Sequence, residues 1–228
     1  MILGYDSFRP ETFVDAFRFI WDNPGLMWDK TSEHLVISGE AIAIAILIGV
    51  PIGILLGHVH RGSFVAINLA NILRALPSLA LFQLLVPFTG LTLTTIEIGL
   101  VGYTLLILFR NILTGLRSVP EEVLEAGRGM GLTRRQLLTR IELPLAMPAV
   151  MAGIRIAVVT TISLATVAAY ITPLGLGAPI FYGLQTNFTT EFVATGALAV
   201  LLAVTADIAL VLIQRVLTPW SRARRPAT

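Results

Sequence analysis

Five runs of mostly apolar side chains, at about residues 34–58, 64–88, 92–114, 147–170 and 192–215, constrain this chain more than any other feature. Each is close to the roughly 20 residues that an α-helix, rising about 1.5 Å per residue, needs to cross about 30 Å of hydrocarbon. Water is absent there, so a spanning segment must satisfy its own backbone N–H and C=O groups, and helices do this within one segment. Composition points the same way. The chain is 55% hydrophobic and 13% charged, against about 25% charged in a soluble domain. The expected fold class is an all-α integral membrane protein with about five transmembrane helices. Arg74, Pro77 and Pro87 interrupt the second run, which is expected to be a bent helix buried among neighbours.

Orientation follows from arginine, since Lys and Arg are retained on the cytoplasmic side. Arg117, Arg128, Arg134, Arg135 and Arg140 lie in the 115–146 loop, and Arg222, Arg224 and Arg225 follow the last run. Both segments are expected in the cytoplasm. Threading back through five spans places the 171–191 loop, without Lys or Arg, outside. The N-terminus is then outside too, with Asp6, Glu11, Asp15, Asp22, Asp29 and Glu33 against Arg9, Arg18 and Lys30. With that acidic start and no basic leader, no cleavable signal peptide is expected. Before the first run, Phe13, Val14, Phe17, Ile20 and Trp21 recur at helical spacing opposite Asp15, Arg18 and Asp22, as in a short helix lying on the membrane surface. The expected organisation is an external N-terminal segment with this amphipathic helix (1–33), a transmembrane domain (34–216) containing the cytoplasmic loop 115–146, and a basic cytoplasmic tail (217–228).

The absence of cysteine excludes disulfides, thiolate metal sites and thiol catalysis. His34, His58 and His60 stand at span ends without a second ligand cluster, so no metal is expected. A net charge of +2 is too small to indicate nucleic acid. Gly49, Gly53 and Gly57 recur every fourth residue and leave one helix face bare, so that a neighbour can approach closely. Arg74, Arg110, Arg155 and Asp207 lie in or near spans, where ionisable groups pair in the bundle interior; pairing of Arg155 or Arg110 with Asp207 is expected, a gating role being the alternative. Glu40 and Glu97 fall in the outer parts of the first and third spans, where they pair, reach headgroups or attract a cationic solute.

The 115–146 loop is the most informative stretch. Ser118 to Pro144 reads as helix, glycine turn, helix: Ser118 as N-cap with Pro120 and two acids in the first turn, Gly131 in the left-handed conformation that ends a helix, Thr133 as the next cap, and Pro144 as terminator. Val123, Leu124 and Met130 with Leu132, Leu137, Leu138 and Ile141 give the pair apolar faces. Such a small amphipathic unit fits a protein groove. It also resembles a DNA-reading helix-turn-helix with Arg134 and Arg135 at the second helix. Spans hold both its ends at the membrane, and five arginines face Glu121, Glu122, Glu125 and Glu142, so no nucleic-acid partner is expected. A solvated loop held by its own hydrophobes remains the plain alternative.

Glu125-Ala126-Gly127, three residues, Gly131, nine residues, then Ile141-Glu142-Leu143-Pro144 resembles the EAA signature of permeases of binding-protein-dependent (type I) ABC importers. The spacing matches throughout, and Gly127 replaces the second Ala. Thr31-Ser-Glu-His-Leu35, Gly49-Val-Pro-Ile-Gly53, Ala75-Leu-Pro-Ser-Leu-Ala80, Arg110-Asn111, Gly127-Arg-Gly-Met-Gly131 and Ala152-Gly-Ile-Arg155 are similar to segments of the osmoprotectant branch. That branch imports glycine betaine, carnitine, choline or proline betaine. Thr172-Pro-Leu-Gly-Leu-Gly177 departs from its glycine-richer turn.

The resemblance implies a multi-pass, non-catalytic permease of the cytoplasmic (inner) membrane, N-terminus outside and C-terminus inside. Its implied partners are ABC ATPase subunits, a second permease, homologous or identical, and an extracytoplasmic solute-binding protein, besides membrane lipid. This chain lacks a glycine-rich Lys-Ser/Thr phosphate loop, so no cofactor is expected in it, and ATP with magnesium belongs to the ATPase. By resemblance, coupling to that ATPase runs through residues 121–144, with Glu121, Glu122, Glu125, Ala126, Gly127, Arg128, Gly131, Ile141, Leu143 and Pro144 as its residues. A quaternary ammonium needs only weak contacts along the pathway, and Ser78, Phe82, Tyr103 and Tyr170 are candidates, although aromatic residues in spans also serve as packing or interface anchors. An amino acid such as methionine or proline is the alternative solute. A secondary transporter is disfavoured by the lack of an internal repeat, and a membrane enzyme by the scatter of the acids.

Overall fold

The computed structural model describes residues 10–57 and 77–220. Asp6, Arg9, His58, His60, Arg74, the first part of the second run, and Arg222, Arg224 and Arg225 lie outside the described residues. Among those described the chain is helical, with no strand: α1 (Pro10–Asp22), α2 (Pro24–Gly57), α3 (Ser78–Thr89), α4 (Leu93–Arg117), α5 (Glu121–Gly129), α6 (Arg134–Leu137), a π-turn (Leu138–Glu142), α7 (Leu143–Ala168), α8 (Gly177–Thr186) and α9 (Thr189–Leu217). Among the described residues, four helical stretches are long and apolar enough to cross a membrane: α2, α4, the continuous stretch Arg134–Ala168, and α9. The second run is described only from Pro77, where α3 is a shorter apolar helix of 12 residues.

Two differences from the sequence expectation have local causes. The first spanning helix starts at Pro24 rather than near residue 34. Polar residues do not stop a helix, and Lys30 and Glu33 pair one turn apart at 2.8 Å; the boundary is set by Asn23-Pro24, because the residue before proline is held out of the helical region. The 171–191 loop contains α8, whose ten residues are too few to register as a span.

The helices form two compact units. The first comprises Met1–Ala41, Pro77–Leu100 and Thr160–Thr205. Here the wholly buried His34 places Nε2 3.0 Å from the carbonyl of Ile162. A carbonyl only accepts, so Nε2 carries the proton. Next to it, Glu33 Oε2 accepts from the backbone N–H of Gly175 at 3.0 Å. Gly175 has φ +62, and a Cβ there would stand 2.9 Å from His34 Nδ1. The Thr31–Leu35 segment thus fastens the start of α2 to α7 and to the turn behind it. Phe82 of α3 is wholly buried, its ring lying where Gly99 of α4 has no side chain.

The second unit comprises Ile42–Leu76, Val101–Val159 and Ala206–Thr228. Its core gathers Ala45, Leu108, Ile112, Leu116, Ala146, Val150 and Ala157. The glycine row of α2 meets α4: a Cβ at Gly49, Gly53 or Gly57 would stand 2.8 Å from Leu105 Cδ2, 3.1 Å from Ile112 Cδ1 or 2.6 Å from Leu116 Cδ1. The space that glycine vacates is filled by the larger residues of the facing helix. Asn111 of α4 fills the equivalent gap over Gly153 of α7 and donates Nδ2 to the Ile107 carbonyl at 2.8 Å.

The predicted intramembrane pair forms between Arg155 of α7 and Asp207 of α9. Nε and Nη2 donate to Oδ1 and Oδ2, each at 2.9 Å, a bidentate geometry that fixes orientation as well as charge. Gln214 accepts from Arg155 Nη1 and donates to the Pro148 carbonyl, both at 3.5 Å. Arg110 is exposed on α4 and is not its partner. Asp207→Ala leaves the guanidinium unpaired and is expected to lower stability by about 2–3 kcal/mol. The double change Arg155→Met with Asp207→Leu is expected to recover most of that loss, read as the thermal unfolding midpoint in detergent.

Candidate functional site: the helix pair between α4 and α7

Leu116 and Val119 are buried, so the chain leaves α4 against the core of the second unit and re-enters helix at Glu121. Pro120 is the N-cap and no side chain caps the turn. The expected cap, Ser118, instead donates Oγ to the Gly115 carbonyl at 2.7 Å and closes the end of α4. Pro120 loses nothing as cap, because N–H groups in the first turn have no helical partner. Glu121 and Glu122 supply negative charge to the positive end of the helix dipole. Arg128 Nη1 donates to Glu121 Oε1 at 2.7 Å; both groups are more than half exposed, so this bond contributes little.

The end of α5 is a Schellman turn. Leu132 N–H donates to the Gly127 carbonyl at 3.2 Å and Gly131 N–H to the Arg128 carbonyl at 2.9 Å, with Gly131 at φ +80. This is the left-handed position expected of Gly131, and it satisfies carbonyls that a helix end otherwise leaves open. Thr133 then caps α6 with the reciprocal pair expected of a capping box: its Oγ1 accepts from Gln136 N–H at 3.3 Å, and its own N–H donates to Gln136 Oε1 at 2.9 Å.

Pro144 does not terminate the second helix. From Arg134 the chain passes through the π-turn Leu138–Glu142 into α7 without leaving helix. The reason lies in register: Leu143 N–H reaches back five residues to the Leu138 carbonyl, and the next residue is Pro144, which has no N–H to place. The hydrogen-bond ladder changes step where the missing donor falls, so the proline is accommodated in the first turn of α7.

Gly127 is buried and is the point of contact of α5 with the segment behind it. A Cβ there would stand 2.6 Å from Leu137 Cδ1, 2.8 Å from Ile141 Cδ1 and 3.5 Å from Leu132 Cδ1. Leu124 is half-buried beside it, and Glu122, Glu125, Ala126 and Arg128 are exposed. Val123 and Met130, which the sequence places on the apolar faces of the pair, are exposed. At 100° per residue Val123 lies about 40° from Gly127, at the edge of the buried face, and Ala126 about 60° further round from Val123, while Met130 follows the last helical residue, Gly129. The outward surface therefore carries an apolar stripe, Val123, Ala126 and Met130, beside Glu122 and Glu125. Ile141, Leu143 and Pro144 are half-buried.

The four pathway candidates stand apart in their environments. Ser78 is half-buried at the start of α3, Phe82 is enclosed by packing, Tyr103 is half-buried on α4, and Tyr170 is exposed with its ring edge-on to Phe181 at 5.7 Å. Glu40 is exposed and Glu97 half-buried.

The seat over Gly127 is tight only against the flexible ends of Leu137 and Ile141. Gly127→Ala, which gains about 1 kcal/mol of helix propensity while pushing those ends back, is expected to be near neutral. Gly127→Leu overfills the seat by about 1–3 kcal/mol and is expected to release α5, read as faster proteolytic cleavage at Arg128.

Residues 49–223 match the family described as "Binding-protein-dependent transport system inner membrane component". The chain is 37% identical over 203 residues to the choline transport system permease protein OpuBB of Bacillus subtilis, covering 89% of this chain and 93% of that protein. It is 32% identical over 219 residues to the carnitine transport permease protein OpuCD of Listeria monocytogenes, covering 96% and 98%. The fold is similar to that of a chain of the MetNI methionine ABC transporter in inward-facing conformations, with a TM-score of 0.73 and 23% identity, covering 86% of this chain and 99% of that one. Spanning helices, the family match and these permeases converge: the chain belongs to the binding-protein-dependent transport system inner membrane components, as a multi-pass permease of ABC importer fold.

Proposed function

We propose that this chain is the non-catalytic half of the translocation path of an ATP-driven osmoprotectant importer, and that it is moved through residues 121–144 by a separate ATPase. The observation that carries the reading is the seat of α5: Gly127 lies against Leu137 and Ile141, while Val123, Ala126 and Met130 with Glu122 and Glu125 are turned outward. A short helix with an apolar stripe beside acids suits a cleft in a protein partner. Its load passes into a helix that continues to Ala168. ATP and its magnesium are bound by the ATPase, which closes on the coupling helices and biases one of two packings of the spans.

The solute is a small ammonium compound such as choline, carnitine, glycine betaine or proline betaine. Support comes from the choline and carnitine permeases it resembles. A solute-binding protein delivers the solute from outside, and a second permease, identical or homologous, completes the path. The N-terminus is outside and the C-terminus inside. Arg117, Arg128, Arg134, Arg135 and Arg140 favour the cytoplasm for the α5 segment, and residues 171–191 hold no Lys or Arg.

Reconstitution of the full assembly tests this. Uptake is expected to require ATP, the ATPase and the binding protein, and to be competed by betaines, choline and carnitine but not by methionine or proline. Gradient-driven uptake by this chain alone overturns the reading. Gly131→Leu forces a side chain into a left-handed turn that costs a non-glycine residue about 1–2 kcal/mol. This variant is expected to insert normally and to lose ATP-driven uptake about tenfold; wild-type uptake by it removes residues 121–144 as the coupling element.

A further inference from the structure

Around its axis α1 divides into three sectors, each about a third of the helical circumference. Thr12, Ala16, Phe19, Ile20 and Asn23 form one, and these are the buried or half-buried residues. Phe13, Val14, Phe17 and Trp21 form the second, exposed by 63%, 55%, 68% and 77%. Glu11, Asp15, Arg18 and Asp22 form the third and are all exposed. The chain thus covers one face of α1 and leaves bare an apolar face and a charged face side by side.

The position of the helix says what covers the apolar one. The Phe19 ring meets Phe188 edge-on at 5.6 Å, and Phe188 directly precedes α9. Only Asn23 separates α1 from α2, and its Nδ2 donates to the Phe19 carbonyl at 3.0 Å. The helix is therefore held at the starts of two spanning helices, α2 and α9. In the first turns of α2, Leu26 and Trp28 are exposed as well, so the bare aromatic surface runs on into that of a spanning helix. A helix with bundle, lipid and water on three successive faces has this pattern, and tryptophan favours the interface between lipid and water.

Charge narrows the lipid. The water-facing sector holds three acids and one arginine, −3 + 1 = −2, where helices that bind anionic membranes present Lys and Arg. We propose that α1 lies in the headgroup layer with Phe13, Phe17 and Trp21 inserted at the acyl boundary. It binds phospholipid without net charge through ring burial rather than charge attraction, and it pins the starts of α2 and α9 to that surface.

The chain has no cysteine, so single nitroxides report without background. Labels at Phe13→Cys, Phe17→Cys, Glu11→Cys and Asp15→Cys are placed in the full chain and reconstituted, with the subunits that copurify, in phosphatidylcholine discs. Oxygen is expected to relax the labels at 13 and 17 several-fold more than a water-soluble nickel chelate does, with the reverse at 11 and 15. Adding phosphatidylglycerol is expected to leave this unchanged. Chelate access at 13 and 17 overturns the proposal by placing them in water. Exclusion of both reagents overturns it by showing a protein partner on that face, and an oxygen preference that appears only with phosphatidylglycerol overturns the uncharged lipid.

Discussion

Hydrocarbon offers no partner to a backbone N–H or C=O group, and the rest of this structure depends on meeting that constraint within the chain. It explains why the described residues are helical throughout and why Pro51, Pro87 and Pro148 sit inside helices rather than at breaks. It also governs the side chains. Arg155 and Asp207 meet as a bidentate pair, and His34 is buried with its ring N–H directed at a carbonyl. Close approach of helices then needs small residues, which the glycine row of α2 supplies to the leucines and isoleucine of α4.

Much of this was legible in the sequence because the signals are periodic or local. Long apolar runs give spans regardless of tertiary context, and a four-residue glycine repeat defines a face. Gly131 and Thr133 announce their turn and cap through backbone chemistry that needs no distant partner. The errors occurred where the outcome depends on a neighbour. Ser118 has the right chemistry for a cap, yet its hydroxyl finds the Gly115 carbonyl first. Pro144 has the right chemistry for a stop, yet the π-turn preceding it changes the step of the ladder where the missing N–H falls, and the helix runs on. The seat of α5 is fixed by Gly127, the residue with no side chain to score. The attachment of Glu33 and His34 to a turn some 140 residues away was invisible for the same reason, being a contact across the fold.

Family membership and the local geometry answer different questions. The match establishes a permease among transport components of the inner membrane. The geometry shows how a nine-residue helix is mounted: by one glycine, one left-handed turn and one capping box, none of which draws on the outward-facing side chains. Those side chains are consequently unencumbered by the fold and open to contact.

The unbroken stretch from Arg134 to Ala168 has a mechanical consequence. Two helices joined by a slack linker would dissipate a displacement applied to one of them, whereas a single rod transmits it. This rod has its least braced section near its N-terminal end, where the π-turn, Pro144 and Pro148 together deprive carbonyls of their usual donors. Under the coupling role proposed above, a displacement applied at α5 bends the rod first at that section, between Thr133 and Pro148.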